Sequence, residues 1–193
     1  MISPRIAGVA VLLLAGAAQA VEFNQVQPEK TKLVFTSKQM GVPVDGGFGR
    51  LTGQIRFDPA EPSAASARLE IDLSSIDAGS AEATEEVVGK QWLNVKAFPT
   101  AGFQSTSVKA LGGDRFEAVG QLTIKGQTRE LTAPFTFKQE GAAGVFDGVF
   151  VLKRLDFGIG EGTWSDVSTV ANEIQIKFHV VAASQHENVL QPH

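Results

Sequence analysis

Few side chains in this sequence have the types and spacing that acid–base or metal chemistry requires. Histidine occurs only at positions 179, 186 and 193, and the chain contains no cysteine. His179 falls on the polar side of an alternating segment, and the other two lie in a polar C-terminal stretch, so solvated surface roles are favoured over metal or general-base roles. The lack of cysteine excludes thiol catalysis and cysteine-bound metals.

Three acids in a glycine-rich segment are the remaining candidates for catalysis. Asp156, Glu161 and Asp166 lie within Leu155–Ser168, and a carboxylate pair can act as general acid and base. Acids in loops more often cap turns. No serine stands in a Gly-x-Ser-x-Gly context, and Gly158–Gly162 lacks the strand and helix that flank a phosphate-binding loop. These patterns favour a protein that is not an enzyme.

The elements that would position any site are best seen between Asp114 and Lys138. Two alternating runs flank a short break at Lys125–Thr128, and Gly126 can adopt the positive φ of a tight turn. Alternation with a period of two predicts half-buried strands joined as a hairpin. The apolar sides of the two runs are Phe116, Ala118, Gly120, Leu122 and Ile124, then Leu131, Ala133, Phe135 and Phe137.

The same pattern recurs along the chain and predicts about eight strands. Further strands are expected at 32–36, 50–58, 67–73, 101–110, 145–154 and 170–181. The segment Met40–Gly49 is predicted to form a turn followed by a bent edge segment. One helix is predicted within Asp77–Asn94, with Ser80 as N-cap and Ala83, Val87, Val88 and Trp92 on one stripe. The fold class predicted is all-β, an antiparallel barrel or sandwich with one inserted helix.

The N-terminus has the features of a secretory signal peptide. Arg5 precedes the apolar run 6–18, and Ala18–Ala20 is a small-x-small site, so residues 1–20 are predicted to be removed. A membrane anchor is less favoured because the run is shorter than the roughly 20 residues that span a bilayer. Without a following cysteine, a lipid-attached protein is also disfavoured. Residues 21–183 are then one domain and 184–193 a polar tail.

The charge balance bears on possible partners. The formal net charge is −4, and removal of Arg5 with the leader makes it −5. This argues against nucleic acid or an anionic membrane surface as the main partner.

The inward face of the predicted strands is rich in phenylalanine, and two interpretations follow. An eight-stranded barrel can be filled by its own side chains, or it can hold one apolar ligand. Gly53, Gly120 and Gly148 place no side chain on that face, which favours a cavity, although inward glycines also mark bends and bulges. Trp92 and Trp164 either cover an open end of the barrel or pin their segments to the sheet. The candidate ligand-binding residues are Phe35, Phe48, Leu51, Ile55, Phe57, Leu69, Ile71, Trp92, Phe103, Phe116, Leu122, Phe135, Phe137, Phe150, Leu152, Phe157 and Trp164.

Five short motifs, in the same order, resemble those of the YceI-like family. They are Met40–Val44, Phe98–Ser105, Gly120–Gly126, Arg154–Gly160 and Val170–Ile174. Each is weak alone, but together they cover essentially the whole chain after the leader.

The resemblance implies a lipocalin-like antiparallel barrel that holds a long apolar ligand and carries no covalent cofactor. Members are described as binding polyisoprenoids, isoprenoid quinones or related lipids in the bacterial periplasm. The branch that this chain resembles is associated with di-haem membrane cytochromes b, which favours a quinone-type ligand and makes such a cytochrome an expected partner. Monomer and homodimer both remain open.

One departure from the family pattern concerns the ligand head group. Many relatives carry a charged Arg/Asp/His pattern in the helix region, where this chain has the acidic segment Glu82–Glu86. A pyrophosphate head is therefore disfavoured, and a neutral head group is expected. The alternative function is a filled barrel that docks a membrane cytochrome b through the loops Met40–Gly49 and Leu155–Ser168.

Overall fold

The computed structural model describes residues 21–184, which form one antiparallel sheet and a single short α-helix. The strands are β1 (Phe23–Val26), β2 (Lys32–Gln39), β3 (Val42–Phe48), β4 (Leu51–Phe57), β5 (Ser66–Asp72), β6 (Ile76–Asp77), β7 (Thr100–Gly112), β8 (Arg115–Ile124), β9 (Gln127–Glu140), β10 (Ala143–Lys153) and β11 (Glu173–Ser184). The α-helix is α1 (Ala81–Val87), and 3₁₀ helices occur at Pro28–Lys30, Pro62–Ala64, Leu73–Ser75, Arg154–Phe157 and Gly162–Ser165. The predicted signal peptide and the tail beyond Ser184 lie outside the described residues.

Eight of the strands close into a barrel. Their order is β1–β4–β5–β7–β8–β9–β10–β11, and β11 pairs again with β1. The remaining strands β2, β3 and β6 extend the sheet from β11. β1 and β2 share one edge of β11: β1 pairs with the C-terminal end of β11, and β2 pairs with Gln175–His179 of β11. The expected all-β barrel of about eight strands with one inserted helix is confirmed.

The hairpin of β8 and β9 follows its sequence pattern. Lys125 and Gly126, with φ of 49° and 73°, form the two-residue turn, and positive φ at both positions is typical of a type I′ hairpin. The predicted apolar positions face inwards, and Phe116 pairs with Phe135 across the ladder, with ring centroids 5.5 Å apart.

The helix is shorter than its apolar stripe predicts. The Ser80 hydroxyl accepts a hydrogen bond from the Ala83 N–H at 3.1 Å, as expected of an N-cap. The helix ends at Val87, however, and Gly89 and Asn94 turn the chain, the latter with a φ of 50°. Trp92 therefore lies in the turns that follow and not on the helix. A periodic stripe cannot by itself reveal where the chain leaves the helical path.

Two other sequence assignments need correction. Residues 42–48 are a regular strand, β3, which pairs with β2 along its length and with β6 at its end, and only Met40 and Gly41 form a turn. Ser184, assigned to the polar tail, is the last residue of β11, where it is buried and pairs with Phe23.

The inward glycines do not leave empty space. A Cβ on Gly120 would lie 2.6 Å from the Phe103 ring, and a Cβ on Gly148 would overlap the Phe178 ring. A side chain on Gly53 would overlap the Arg68 carbonyl. Rings from neighbouring strands thus lie over two of these glycines, so the glycines are sites of close packing.

Candidate ligand cavity

The barrel contains a cavity of about 550 Å³ that is open to solvent on one side, where exposed residues line it. This volume falls within the roughly 300–1,000 Å³ that is usual for small-molecule sites. Side chains from the barrel strands, from β2 and β3, and from α1 line it, and its walls are mainly aliphatic and phenylalanine side chains. The polar residues on the lining are Ser37, Gln39, Arg56, Ser66, Ser80, Glu82 and Glu86. A long apolar molecule therefore suits this space better than a polar one.

All but three of the candidate ligand residues line the cavity. The exceptions are Phe116, Phe137 and Phe157, which are buried elsewhere. Phe116 and Phe137 pack with Phe57 at one end of the barrel, with ring centroids 5.2 and 4.9 Å from it. Phe157 lies in the 3₁₀ helix that follows β10. The lining positions remain predicted ligand contacts.

Several lining residues lie outside the predicted ligand contacts, although most follow the same alternation. They are Leu33 on β2, Leu131 and Ala133 on β9, and Ile174, Ile176, Phe178 and Val180 on β11, among others. No sequence signal places Ala83 and Val87 of α1 on the cavity, because that contact depends on where the helix sits across the barrel.

A cluster of phenylalanines blocks the barrel at one end. Phe137 lies 5.2 Å from Phe23 and 5.2 Å from Phe146, measured between ring centroids. Phe23 is fully buried. Phe57, Phe135 and Phe146 form the adjoining wall of the cavity. This phenylalanine cluster gives the cavity an apolar floor.

Arg154 organises the opposite end, which we call the cap: α1, residues 88–99 and the loop 154–172. Its side chain is fully buried, and its N–H groups donate to five backbone carbonyls at 2.6–3.1 Å. The acceptors are Ile159, Gly160, Trp164, Val170 and Ala171. The guanidinium carbon also lies 5.6 Å from the centre of the Trp92 ring. Burial lowers the pKa of Arg154, and the carbonyl dipoles replace the water that the cation has lost.

The two tryptophans are in contact within the cap. Trp92 and Trp164 have ring centroids 5.4 Å apart, and both line the cavity. Backbone hydrogen bonds from Gly160 and Glu161 to the carbonyl of Gln91, both 2.8 Å, join the two segments that carry them. Both rings thus line the cavity at the cap, where the two segments that carry them are joined to each other.

The loop acids serve the cap as turn and ion-pair residues. Glu161 pairs with Lys125 at 3.0 Å, and the Lys125 ammonium also donates to the Gly158 carbonyl at 2.6 Å. Asp166 accepts hydrogen bonds from the hydroxyl and the N–H of Ser168, and these bonds lower its pKa. Within residues 21–184, no cluster of histidine or acidic side chains could hold a metal ion.

His179 lies on the outer wall of the barrel. Its Nδ1 is 2.7 Å from a carboxylate oxygen of Asp147, the residue opposite it in the β10–β11 ladder. Both side chains are partly exposed, so the surface position predicted for His179 is confirmed. His186 and His193 lie outside the described residues.

Comparison with known families agrees with this architecture. Residues 25–182 match the family model described as the YceI-like domain. The chain belongs to the YceI-like family. Among its relatives, a UPF0312 protein of Azotobacter vinelandii is 30% identical over 183 residues, which cover 89% of this chain and 93% of that protein. A UPF0312 protein of Pseudomonas aeruginosa is 31% identical, with 90% and 93% covered.

Solved structures share the fold. BcnA of Burkholderia cenocepacia is 43% identical, with a TM-score of 0.80 over 82% of this chain and all of BcnA. A polyisoprenoid binding domain from Saccharophagus degradans, implicated in plant cell wall breakdown, has a TM-score of 0.68, with 86% of this chain and 98% of that domain covered. At 15% identity the second likeness shows the fold alone.

Among the helices of residues 21–184, none has the length and apolarity needed to cross a membrane.

Proposed function

We propose that this protein is a periplasmic carrier that sequesters a long isoprenoid-type lipid, a polyprenol or an isoprenoid quinone, inside its barrel. The observation that carries the proposal is the cavity of about 550 Å³, whose walls are mainly apolar. The polyisoprenoid binding domain of Saccharophagus degradans, which shares the fold, supports the same ligand class. Export to the periplasm rests on the leader predicted in residues 1–20.

The energetics of such a site come from burial of the chain. Each methylene group that leaves water contributes roughly 0.8 kcal/mol, so an isoprenoid tail is retained with few polar contacts. No bond has to be made or broken, and the loop acids Glu161 and Asp166 are already engaged in the cap. Carriage without catalysis is consistent with these features.

The first test is organic extraction of natively purified mature protein, followed by mass spectrometry of the extract. We expect one isoprenoid lipid per barrel. An empty extract, together with no uptake of added polyprenol or quinone, would refute the carrier function.

A matched pair of variants tests the cavity directly. Phe135→Asp places a carboxylate on the cavity wall, where an unpaired charge is unfavourable, so folded protein should lose its lipid. Leu111→Asp changes an exposed apolar residue of β7 and should keep it. A folded Phe135→Asp variant with unchanged lipid content would contradict the proposal.

We propose docking as a second function, because apolar residues are exposed near the cap; the resemblance to the family makes a membrane cytochrome b the expected partner. Met40 is 79% exposed, and Val42 and Val167 are 62% and 53% exposed. The Met40 N–H donates to the Thr169 carbonyl at 2.8 Å, which joins the β2–β3 turn to the loop 154–172. Met40 also has a φ of 47°, a positive value that is uncommon for residues other than glycine, so backbone conformation does not favour methionine at this position.

Crosslinking to membranes that contain the cytochrome tests this second function. We expect Met40→Glu with Val42→Glu to abolish a specific crosslink, whereas Leu111→Glu, another exposed apolar position, leaves it intact. Equal crosslinking of all these proteins would exclude this surface as the docking site.

A further inference from the structure

A hydroxyl group without a protein partner lies in the wall of the cavity. Ser37 of β2 is only 9% exposed and lines the cavity. Among residues 21–184 its hydroxyl forms no hydrogen bond to another residue. An unpaired hydroxyl on a mainly apolar wall can form a hydrogen bond with a bound molecule.

The inward positions of β2 become more polar towards the cap. Leu33 and Phe35 come first, opposite Phe178 and Ile176 of β11. Ser37 and then Gln39 follow on the same face, and all four of these β2 residues line the cavity. A molecule bound along β2 would therefore have apolar contacts at one end and neutral hydrogen-bonding groups at the other.

Two carboxylates line the same end of the cavity. Ser37 pairs with Val44 of β3, and the carbonyl of the next residue, Asp45, would lie 3.2 Å from a Cβ on Gly79. The chain enters α1 directly after Gly79, so α1 begins beside this part of β3. Its Glu82 and Glu86 are exposed and line the cavity. Like charges repel, so this rim disfavours an anionic head group.

We infer that Ser37 and Gln39 form the subsite for the head of the ligand, and that this head is an uncharged oxygen group, a hydroxyl or a carbonyl. The inference rests on the proposed carrier function and specifies its ligand. A serine hydroxyl and a glutamine amide each donate and accept hydrogen bonds, so they can pair with the hydroxyl of a polyprenol or the carbonyl of a quinone. The isoprenoid tail then extends along Phe35 and Leu33 towards the phenylalanine cluster.

The experiment compares Ser37→Ala with wild type and with the control Ser107→Ala, which alters an exposed serine of β7. The probes are a polyprenol, an isoprenoid quinone, a polyprenyl phosphate and an isoprenoid hydrocarbon without a head group, all of similar length. Dissociation constants can be read from the fluorescence of Trp92 and Trp164, which both line the cavity. Thermal midpoints show that each variant is folded.

For Ser37→Ala we expect binding of the polyprenol, the quinone or both to weaken by about 2- to 12-fold, the effect of one hydrogen bond. Weaker binding of the polyprenol would identify a hydroxyl as the head group, and weaker binding of the quinone would identify a carbonyl. Binding of the hydrocarbon should be unchanged, and Ser107→Ala should change nothing. Equal weakening for the hydrocarbon, or no change with either oxygen-headed probe, would overturn the subsite.

The rim is tested by the double variant Glu82→Gln, Glu86→Gln. Wild type should bind the polyprenol more tightly than the polyprenyl phosphate, and the double variant should improve binding of the phosphate by roughly fivefold or more. Wild-type protein that binds the phosphate as tightly as the alcohol would overturn the neutral-head assignment. If wild type binds none of the four probes, the carrier function itself is refuted and the subsite with it.

Discussion

The cap should depend on one side chain, and Arg154→Met tests this. Methionine preserves an unbranched, apolar stem while removing all five N–H donors that now reach the carbonyls of the loop 154–172. The carbonyls cannot pair with the thioether, because methionine offers no donor. The substitution therefore removes the hydrogen bonds while an apolar stem stays in place.

The expected loss can be worked from the structure. An unsatisfied buried polar group costs about 1–3 kcal/mol. Five carbonyls without donors would therefore cost at most about 5–15 kcal/mol, which is comparable to the free energy of unfolding of a whole domain. The loop lies at the surface and can admit water, so the realised loss should be smaller. We expect roughly 3–5 kcal/mol, the range seen when one member of a buried charged contact is removed.

Urea unfolding followed by tryptophan fluorescence is the appropriate assay. Trp92 reports directly, since the Arg154 guanidinium lies 5.6 Å from its ring centre, and its emission should shift as the cap admits water. Arg154→Lys should lose most of the same stability, because an ammonium cannot reproduce the planar set of five donors. Arg56→Met is the control: that arginine is largely exposed and pairs with Glu22 at the surface. An Arg154→Met protein within about 0.5 kcal/mol of wild type, the scatter of ordinary surface substitutions, would refute the role assigned to Arg154.

Two further predictions concern the barrel wall and a surface carboxylate. Gly148→Ala should destabilise the protein by about 1–3 kcal/mol, because the added methyl group would overlap the Phe178 ring. Gly102→Ala should be tolerated, because the atom nearest to its added methyl group would be 3.7 Å away. Equal unfolding midpoints for the two variants would contradict this packing. Hydrogen bonds from Ser74, and then from Arg50, lower the pKa of Asp72. The ionised carboxylate therefore stabilises the fold at pH values above the ordinary pKa of 3.8, and this stabilisation is lost as the pH falls through the lowered pKa. Asp72→Asn should remove that part of the acid dependence of unfolding, and an unchanged profile below pH 4 would count against it.

Much of the barrel is readable from the sequence because strand alternation is a local property. The side chains of β8 and β9 alternate between two environments, and the Lys125–Gly126 turn needs only the conformation of two residues. The N-cap of α1 is equally local, since Ser80 bonds the N–H three residues on. The apolar stripe does not mark the end of the helix, because it continues to Trp92, whereas the chain leaves the helix after Val87 and turns at Gly89 and Asn94.

The tertiary structure alone decided whether the barrel is filled or hollow. Gly120 and Gly148 suggested gaps, yet rings from neighbouring strands cover both positions, and the open space lies elsewhere. Arg154 shows the same limit: its sequence neighbours give no sign that the loop returns to surround it with carbonyls. Alternation in the sequence predicts which side of each strand is apolar, and the sequence by itself determined this for the chain. How far opposite walls stand apart depends on barrel closure and on contacts between residues distant in sequence, so the cavity and its cap exist only in the folded chain.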